Sequence, residues 1–203
     1  MALAGKNALV KATGAAVGFT AEATNTSDNQ NYQIADATKQ VWCAFCTITV
    51  LDGGIPTSES FTLNRLTGTV TFGSASVRTI TVTGSFLPLA TVAQAFDFTY
   101  SISADNADTT EFTNQYIQRT QTVKDFSASL TRFENIDKVF FDRLNAGDSI
   151  VLEFFEDFTG TADLRARVLI STEEGSAAVD GVVEGSLDFE GSGDADGRVV
   201  ALL

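Results

Sequence analysis

Alternation of apolar and polar positions is clearest between residues 96 and 156. Phe96, Phe98, Tyr100 and Ile102 alternate with Asp97, Thr99, Ser101 and Ser103, the period of two of a strand with one wet face. Past a polar stretch, Phe126, Ala128 and Leu130 alternate with Asp125, Ser127, Ser129 and Thr131, an antiparallel partner for the first strand. The period then changes. Ile136, Val139, Phe140 and Leu144 are spaced as one face of a short α-helix over about residues 135–145. Asn135 suits its N-cap, Asp137 its first turn, and Gly147 a left-handed C-cap. Ile150, Leu152 and Phe154 resume strand alternation. A mainly β chain carrying one short flanking helix follows.

The remaining segments attach to that centre. Residues 1–31 are small and rich in Ala, Thr and Gly, too poor in large apolar groups to collapse alone. With a polar bridge over residues 32–40 they form an expected N-terminal arm of residues 1–40. Residues 41–51 read as a strand, Asp52-Gly53-Gly54 as a tight turn, and residues 61–72 as a hairpin. Ile80 and Val82, flanked by threonines, give a further strand. Beyond the helix, residues 150–155 pair with Leu164, Ala166 and Val168 across a turn at 157–160. A second turn is expected at 171–175, with short β segments at 179–183 and 187–189. A turn at 194–197 then leads into an apolar tail, so that a single β-rich domain spans residues 41–193 and a C-terminal tail residues 194–203. Roughly ten strands with frequent turns favour a sandwich or small barrel.

Composition narrows the function. At 203 residues the chain is one domain large enough for a real core. Its 26 acidic residues against 13 basic ones argue against ordinary phosphate-gripping contact with nucleic acid, though not against DNA that must be kept moving. No apolar run approaches about 18 residues, so no membrane span is expected. Residues 1–20 lack a continuous hydrophobic stretch, so synthesis and folding in the cytoplasm are expected rather than export.

Candidate chemistry is sparse. The chain has no histidine, which removes the commonest general base and most zinc sites. Cys43 and Cys46 form an isolated C-x-x-C; on a strand, positions three apart face opposite ways, so reduced structural cysteines are expected. Asp194-Ala195-Asp196-Gly197 lacks the further oxygen ligands of a calcium loop. Glu153, Glu156 and Asp157 read as a solvated face rather than an acid/base pair. No catalytic residue, metal ligand or cofactor site is expected, and the chain is not read as an enzyme.

Residues 105–122 read as a long loop between two adjacent strands, a length that is usually functional or disordered. Asp105, Asp108 and Glu111 stand there among threonines and asparagines, with Phe112, Tyr116 and Ile117 as possible anchors on another subunit. Arm, loop and tail hanging from one β core are the pattern of an assembling subunit.

Leu66-Thr67-Gly68-Thr69-Val70-Thr71-Phe72, followed by Ile80-Thr81-Val82-Thr83-Gly84-Ser85-Phe86-Leu87-Pro88, resembles the repeating phrase of the major tail tube proteins of long-tailed (siphovirus-type) bacteriophages. The block from Phe98 to Ala104, the loop, Lys124-Asp125-Phe126-Ser127-Ala128-Ser129-Leu130, the helix and Ile150-Val151-Leu152-Glu153-Phe154 are similar as well. So is the ending, Val179-Asp180-Gly181-Val182-Val183-Glu184 and then Leu187-Asp188-Phe189-Glu190-Gly191-Ser192-Gly193. The resemblance runs in order over residues 61–193 and rests on the set rather than on one motif.

That resemblance implies a tail tube fold, a β-sandwich-like core with one helix. It also implies hexameric rings that stack into a hollow tube for genome passage in a virion, with terminator, tape measure and baseplate proteins as partners. By position, residues 105–122 are similar to the family's inter-ring loop. An acidic channel wall would repel DNA within a screening length of about 8 Å at physiological salt and so prevent sticking. Asp97 and Asp125 are the first candidates for that charge, Asp188 and Glu190 the next. Two other readings stay open: a monomeric β-sandwich module binding carbohydrate or calcium, with Trp42, Tyr32 and Tyr116 as its aromatics, and a tail terminator or baseplate ring protein that does not polymerise.

Overall fold

The structure is a computed structural model that describes residues 9–92, 95–110, 116–133, 142, 144–155, 162–176 and 184–203. Fifteen strands among the described residues build two antiparallel sheets, so the chain is mainly β with a sandwich/barrel-like arrangement. The large sheet runs β10 (Ala95–Asp108), β11 (Arg119–Phe133), β14 (Glu184–Gly191), β13 (Leu164–Ser176), β12 (Ile150–Phe155), β1 (Leu9–Thr13) and β9 (Leu89–Thr91), with β15 (Val200–Leu202) also paired to β13. The second sheet runs β5 (Ile55–Pro56), β4 (Thr49–Asp52), β8 (Ile80–Phe86), β2 (Val17–Asn25), β3 (Asn31–Ile34), β7 (Thr69–Phe72) and β6 (Phe61–Asn64).

The large sheet curls into a half-barrel around Phe126, Leu130, Leu152, Phe154, Leu187 and Phe189. The expected pairing of its first two strands holds, with Phe98 opposite Leu130, Tyr100 opposite Ala128 and Ile102 opposite Phe126. Of the helix, only Asp142 and residues 144–146 are described; Leu144 packs against this core, and the rest of the expected element lies outside the described residues. Gly147 ends it at φ +66°, its N–H donating to Leu144 O at 3.2 Å, the left-handed stop its sequence position predicts. The second sheet closes on its own apolar cluster, where Trp42, Tyr32, Val70 and Val82 are essentially inaccessible. The hairpin over residues 61–72 is present, Phe61 lying opposite Phe72.

Several expectations are refined or corrected. Residues 9–25, expected to be unable to collapse alone, are ordered by their neighbours: β1 lies inside the large sheet between β12 and β9 with Val10 in the core, and β2 lies inside the second. A segment with one or two apolar residues is ordered once neighbours on both sides satisfy its backbone. The polar bridge is likewise structured, with β3 burying Tyr32 and Ile34 and a 3-10 turn at Ala37–Lys39 that Asp36 caps. Residues 41–51 are not one strand; pairing is confined to the isolated contact of Trp42 with Phe86 and to β4. The intervening turn brings the Cα atoms of Cys43 and Cys46 to 5.4 Å, and the two are joined in a disulfide rather than reduced. The turn expected at 171–175 is continuous strand within β13, and the apolar tail is largely strand β15. The segments at 157–160 and 179–183 fall outside the described residues.

Candidate functional site

Strand register places the predicted acidic residues on a common surface. In the ladder through β10, β11 and β14, Thr99 stands opposite Ser129 and Ser129 opposite Asp188, while Ser101, Ser127 and Glu190 form the adjacent row. Counting in twos, Asp97, Asp125, Asp188 and Glu190 all point away from the core. The sheet adds two acids that periodicity did not single out: Glu174, opposite Ser186, and Glu184 at the end of β14. Glu174 was hidden by the expected turn at 171–175. No Lys or Arg occupies this face along residues 97–103, 125–131 and 184–190. Between the carboxylates lie hydroxyls, Thr99 and Ser129 sharing a hydrogen bond at 2.8 Å. A shallow concavity of about 640 Å³ opens over this face, bounded by Ser101, Ser127, Thr172, Asp188 and Glu190.

The same surface of the large sheet continues onto β13, β12 and β1, and there its character reverses. Leu169, opposite Glu190, shares a side with Arg167 and Arg165, which stand opposite Val151 and Glu153. Lys11 completes the row opposite Glu153. The second sheet covers this half. Arg165 ties Glu153 at 2.7 Å and donates to Leu66 O at 2.9 Å, while Arg167 donates to Trp42 O at 2.9 Å. Val41, Leu66, Leu87 and Val151 seal the joint with a small apolar cluster. Burial pushes the Arg167 guanidinium below its ordinary value, with nearby Asp194 opposing that shift. All six residues of β12 are therefore buried, although the sequence alternates. Glu153, expected on a solvated face, is instead a buried ion-pair partner of Arg165.

The stretch expected as a loop over residues 105–122 is mostly hairpin. Pairing continues through Asn106–Gln121, Ala107–Thr120 and Asp108–Arg119, so Asp105 and Asp108 belong to β10. The connection narrows to a tip, where Thr109 N–H donates to Gln118 O at 2.9 Å. Hydrogen bonds from Thr110 hold the Asp108 carboxyl below the usual carboxylate range. Tyr116 and Ile117 are exposed at this tip, 79% and 65%, while Glu111 and Phe112 lie outside the described residues. Tyr100 and Ile102, on the apolar side of edge strand β10, are also incompletely covered.

Other candidate chemistry is spoken for. Asp194 Oδ1 accepts the N–H groups of Asp196 and Arg198, each at 2.9 Å, and Asp196 Oδ2 accepts from Arg65 Nε at 3.1 Å, so the 194–197 turn engages an arginine. Among the described residues no group of three or more metal-ligating side chains converges, and no helix is long and apolar enough to cross a membrane. A groove of about 1250 Å³ between the sheets is lined by Asn31, Gln33, Thr67, Phe155 and Arg165 among others.

No known family profile matches the chain, and no characterised protein matches it in sequence. Among solved structures, the chain is similar to one from the tail of an empty gene transfer agent particle with C6 symmetry. That alignment has a TM-score of 0.46 at 15% identity, over 57% of this chain and 87% of the other. It is also similar to a chain from the virion of a native gene transfer agent particle, with a TM-score of 0.47 at 14% identity, over 57% and 88%. These are tail and virion structures of phage-like particles; at such scores the functional assignment rests on this chain's own geometry.

Proposed function

We propose that the protein is a non-enzymatic structural subunit of a phage-type tail tube. Its copies form hexameric rings that stack into a hollow virion tail, with terminator, tape measure and baseplate proteins as partners. The observation that carries this reading is the bare half of the large sheet, where the described outward residues include six carboxylates, no Lys or Arg, and a carpet of Ser and Thr. They stand on long strands whose last, β10, pairs on one side only among the described residues. A long edge strand such as β10 is a liability that assembly removes, because a neighbouring subunit then satisfies its backbone groups. Closing such sheets into one barrel turns a face of each inward. B-DNA carries a charge about every 1.7 Å of its axis, so a basic wall would grip it at many points whereas an acidic one lets it slide. Asp97, Asp125, Asp188 and Glu190 supply that wall. Asp105 and Asp108 on the hairpin and Tyr116 and Ile117 at its tip reach the adjacent ring, as do Glu111 and Phe112, which lie outside the described residues.

Electron microscopy of the purified protein across a range of concentrations tests the assembly. Hollow tubes are expected, and removal of residues 109–118 is expected to leave rings or single subunits. Closed rings that never stack would favour a terminator or baseplate role, and single particles at every concentration would reject the tube. The wall is tested separately by reversing Asp125, Asp188 and Glu190 to Lys. Tubes should still form and should then retain double-stranded DNA, weakly at high salt and strongly at low salt.

A further inference from the structure

One loop is held from both sheets, residues 42–47, between the Trp42–Phe86 pairing and β4. From the second sheet, Arg65 Nη1 donates to the carbonyls of both cysteines, 3.1 Å to Cys43 O and 2.9 Å to Cys46 O. Trp42 N–H donates to Arg65 O at 2.7 Å. From the large sheet, Arg167 donates to Trp42 O at 2.9 Å. From the turn between β14 and β15, Ala195 N–H donates to Ala44 O at 3.3 Å, and Asp196 accepts from Arg65. Two carbonyls three residues apart meet one nitrogen only in a tightly turned loop, and the Cys43–Cys46 disulfide is the covalent closure of that turn. Both cysteines are partly exposed, and Phe45 between them is 74% exposed, so the loop lies at the surface.

We propose that Cys43 and Cys46 are a thiol–disulfide exchange site whose oxidised form locks the second sheet onto the large one. The co-reactant is a small disulfide of the glutathione type. One cysteine thiolate attacks the reagent, forming a mixed disulfide and expelling one thiol. The other thiolate then displaces the second thiol as the Cys43–Cys46 bond forms, so two electrons pass from the protein to the reagent. In the dithiol form nothing covalent keeps the two carbonyls convergent. Arg65 then gives up one of them, and the loop relaxes away from Ala195. This device does not depend on what the acidic face does.

Amide hydrogen exchange on the full chain, with and without dithiothreitol, tests it. Upon reduction the amides of Trp42 and Ala195 should exchange at least about tenfold faster, while those of residues 126–130 change by less than about twofold. The Cys43→Ser/Cys46→Ser double variant should show the fast pattern in both buffers. If that variant does not fold, the reductant comparison on the native chain still decides. Equal exchange at Trp42 and Ala195 in both buffers would overturn the lock. Equal acceleration throughout the large sheet would overturn its local character. Failure of alkylation to label either thiol after reductant treatment of the folded protein would overturn the exchange site.

Discussion

The second sheet finishes its own interior, whereas the large sheet does not. In the second, strands of two to nine residues wrap Trp42, Tyr32, Phe72 and Val82 until almost none of their surface is left. In the large sheet, β10, β11 and β13 run 14, 15 and 13 residues. They outrun whatever covers them, leaving Tyr100 42% and Ile102 52% exposed on the apolar side. Its outer surface is also divided. Arg165, Arg167 and Lys11 lie on the half that the second sheet covers, while the acids concentrate on the half left bare. Among the described residues, the cations of this surface are engaged at the joint, and the bare half carries carboxylates. A small closed unit and a long one with apolar residues exposed on its edge strand therefore coexist in one chain.

The contrast is most sharply tested at the joint. Arg165→Ala leaves Glu153 buried with only Lys11 3.7 Å away, and is expected to cost about 3–5 kcal/mol in urea unfolding. Loss of a single cooperative transition into two would show the sheets separating. Gly68→Ala should cost less, about 1–3 kcal/mol, since Gly68 sits at φ +64° and an added Cβ would meet Gln40 O at 2.7 Å. That penalty belongs to the second sheet alone, so the assembly proposed above should persist in the folded variant. Arg167→Met is expected to change stability by less than about 1.5 kcal/mol, because only one of its three guanidinium nitrogens has a hydrogen-bond partner among the described residues. A loss as large as that of Arg165→Ala would show that Arg167 and Asp194 form a strong pair.

The smallest effect is expected at Asp28, in the turn between β2 and β3. Its carboxylate accepts the N–H groups of Asn31 at 2.7 Å and Gln30 at 2.9 Å, and these backbone bonds hold its pKa well below the carboxylate range. A depressed folded value means that the contribution is complete above the unfolded pKa of about 3.9 and fades as pH falls below it. The Tm difference between the native chain and Asp28→Ala should therefore be constant near neutrality and shrink below about pH 4. A difference that grows on acidification would show that the turn is held by something other than the ionised carboxylate.

Strong alternation was enough to locate the central ladder. Phe98, Tyr100 and Ile102 pair with Leu130, Ala128 and Phe126 because both runs have the same period and an apolar face to bury. It also put Asp97, Asp125, Asp188 and Glu190 on polar faces, since parity within a strand is fixed by the backbone. The end of the helix at Gly147 was legible for a similar local reason, a residue without Cβ where a positive φ is needed.

What the sequence determined by itself was therefore periodic or local: the mainly β class, the pairing of the two central strands and the acid excess. What only tertiary structure decided were the features that depend on distant neighbours. Leu9–Thr13 became a central strand because β12 and β9 supply hydrogen bonds on both sides. Glu153 and Arg167 became interior because a second sheet covers a face that alternation assigns to water. Cys43 and Cys46 became partners because Arg65, Trp42 and Ala195 hold a turn where apolar composition predicted a strand. The chain writes its periods locally, but which face meets water is set only when the sheets come together.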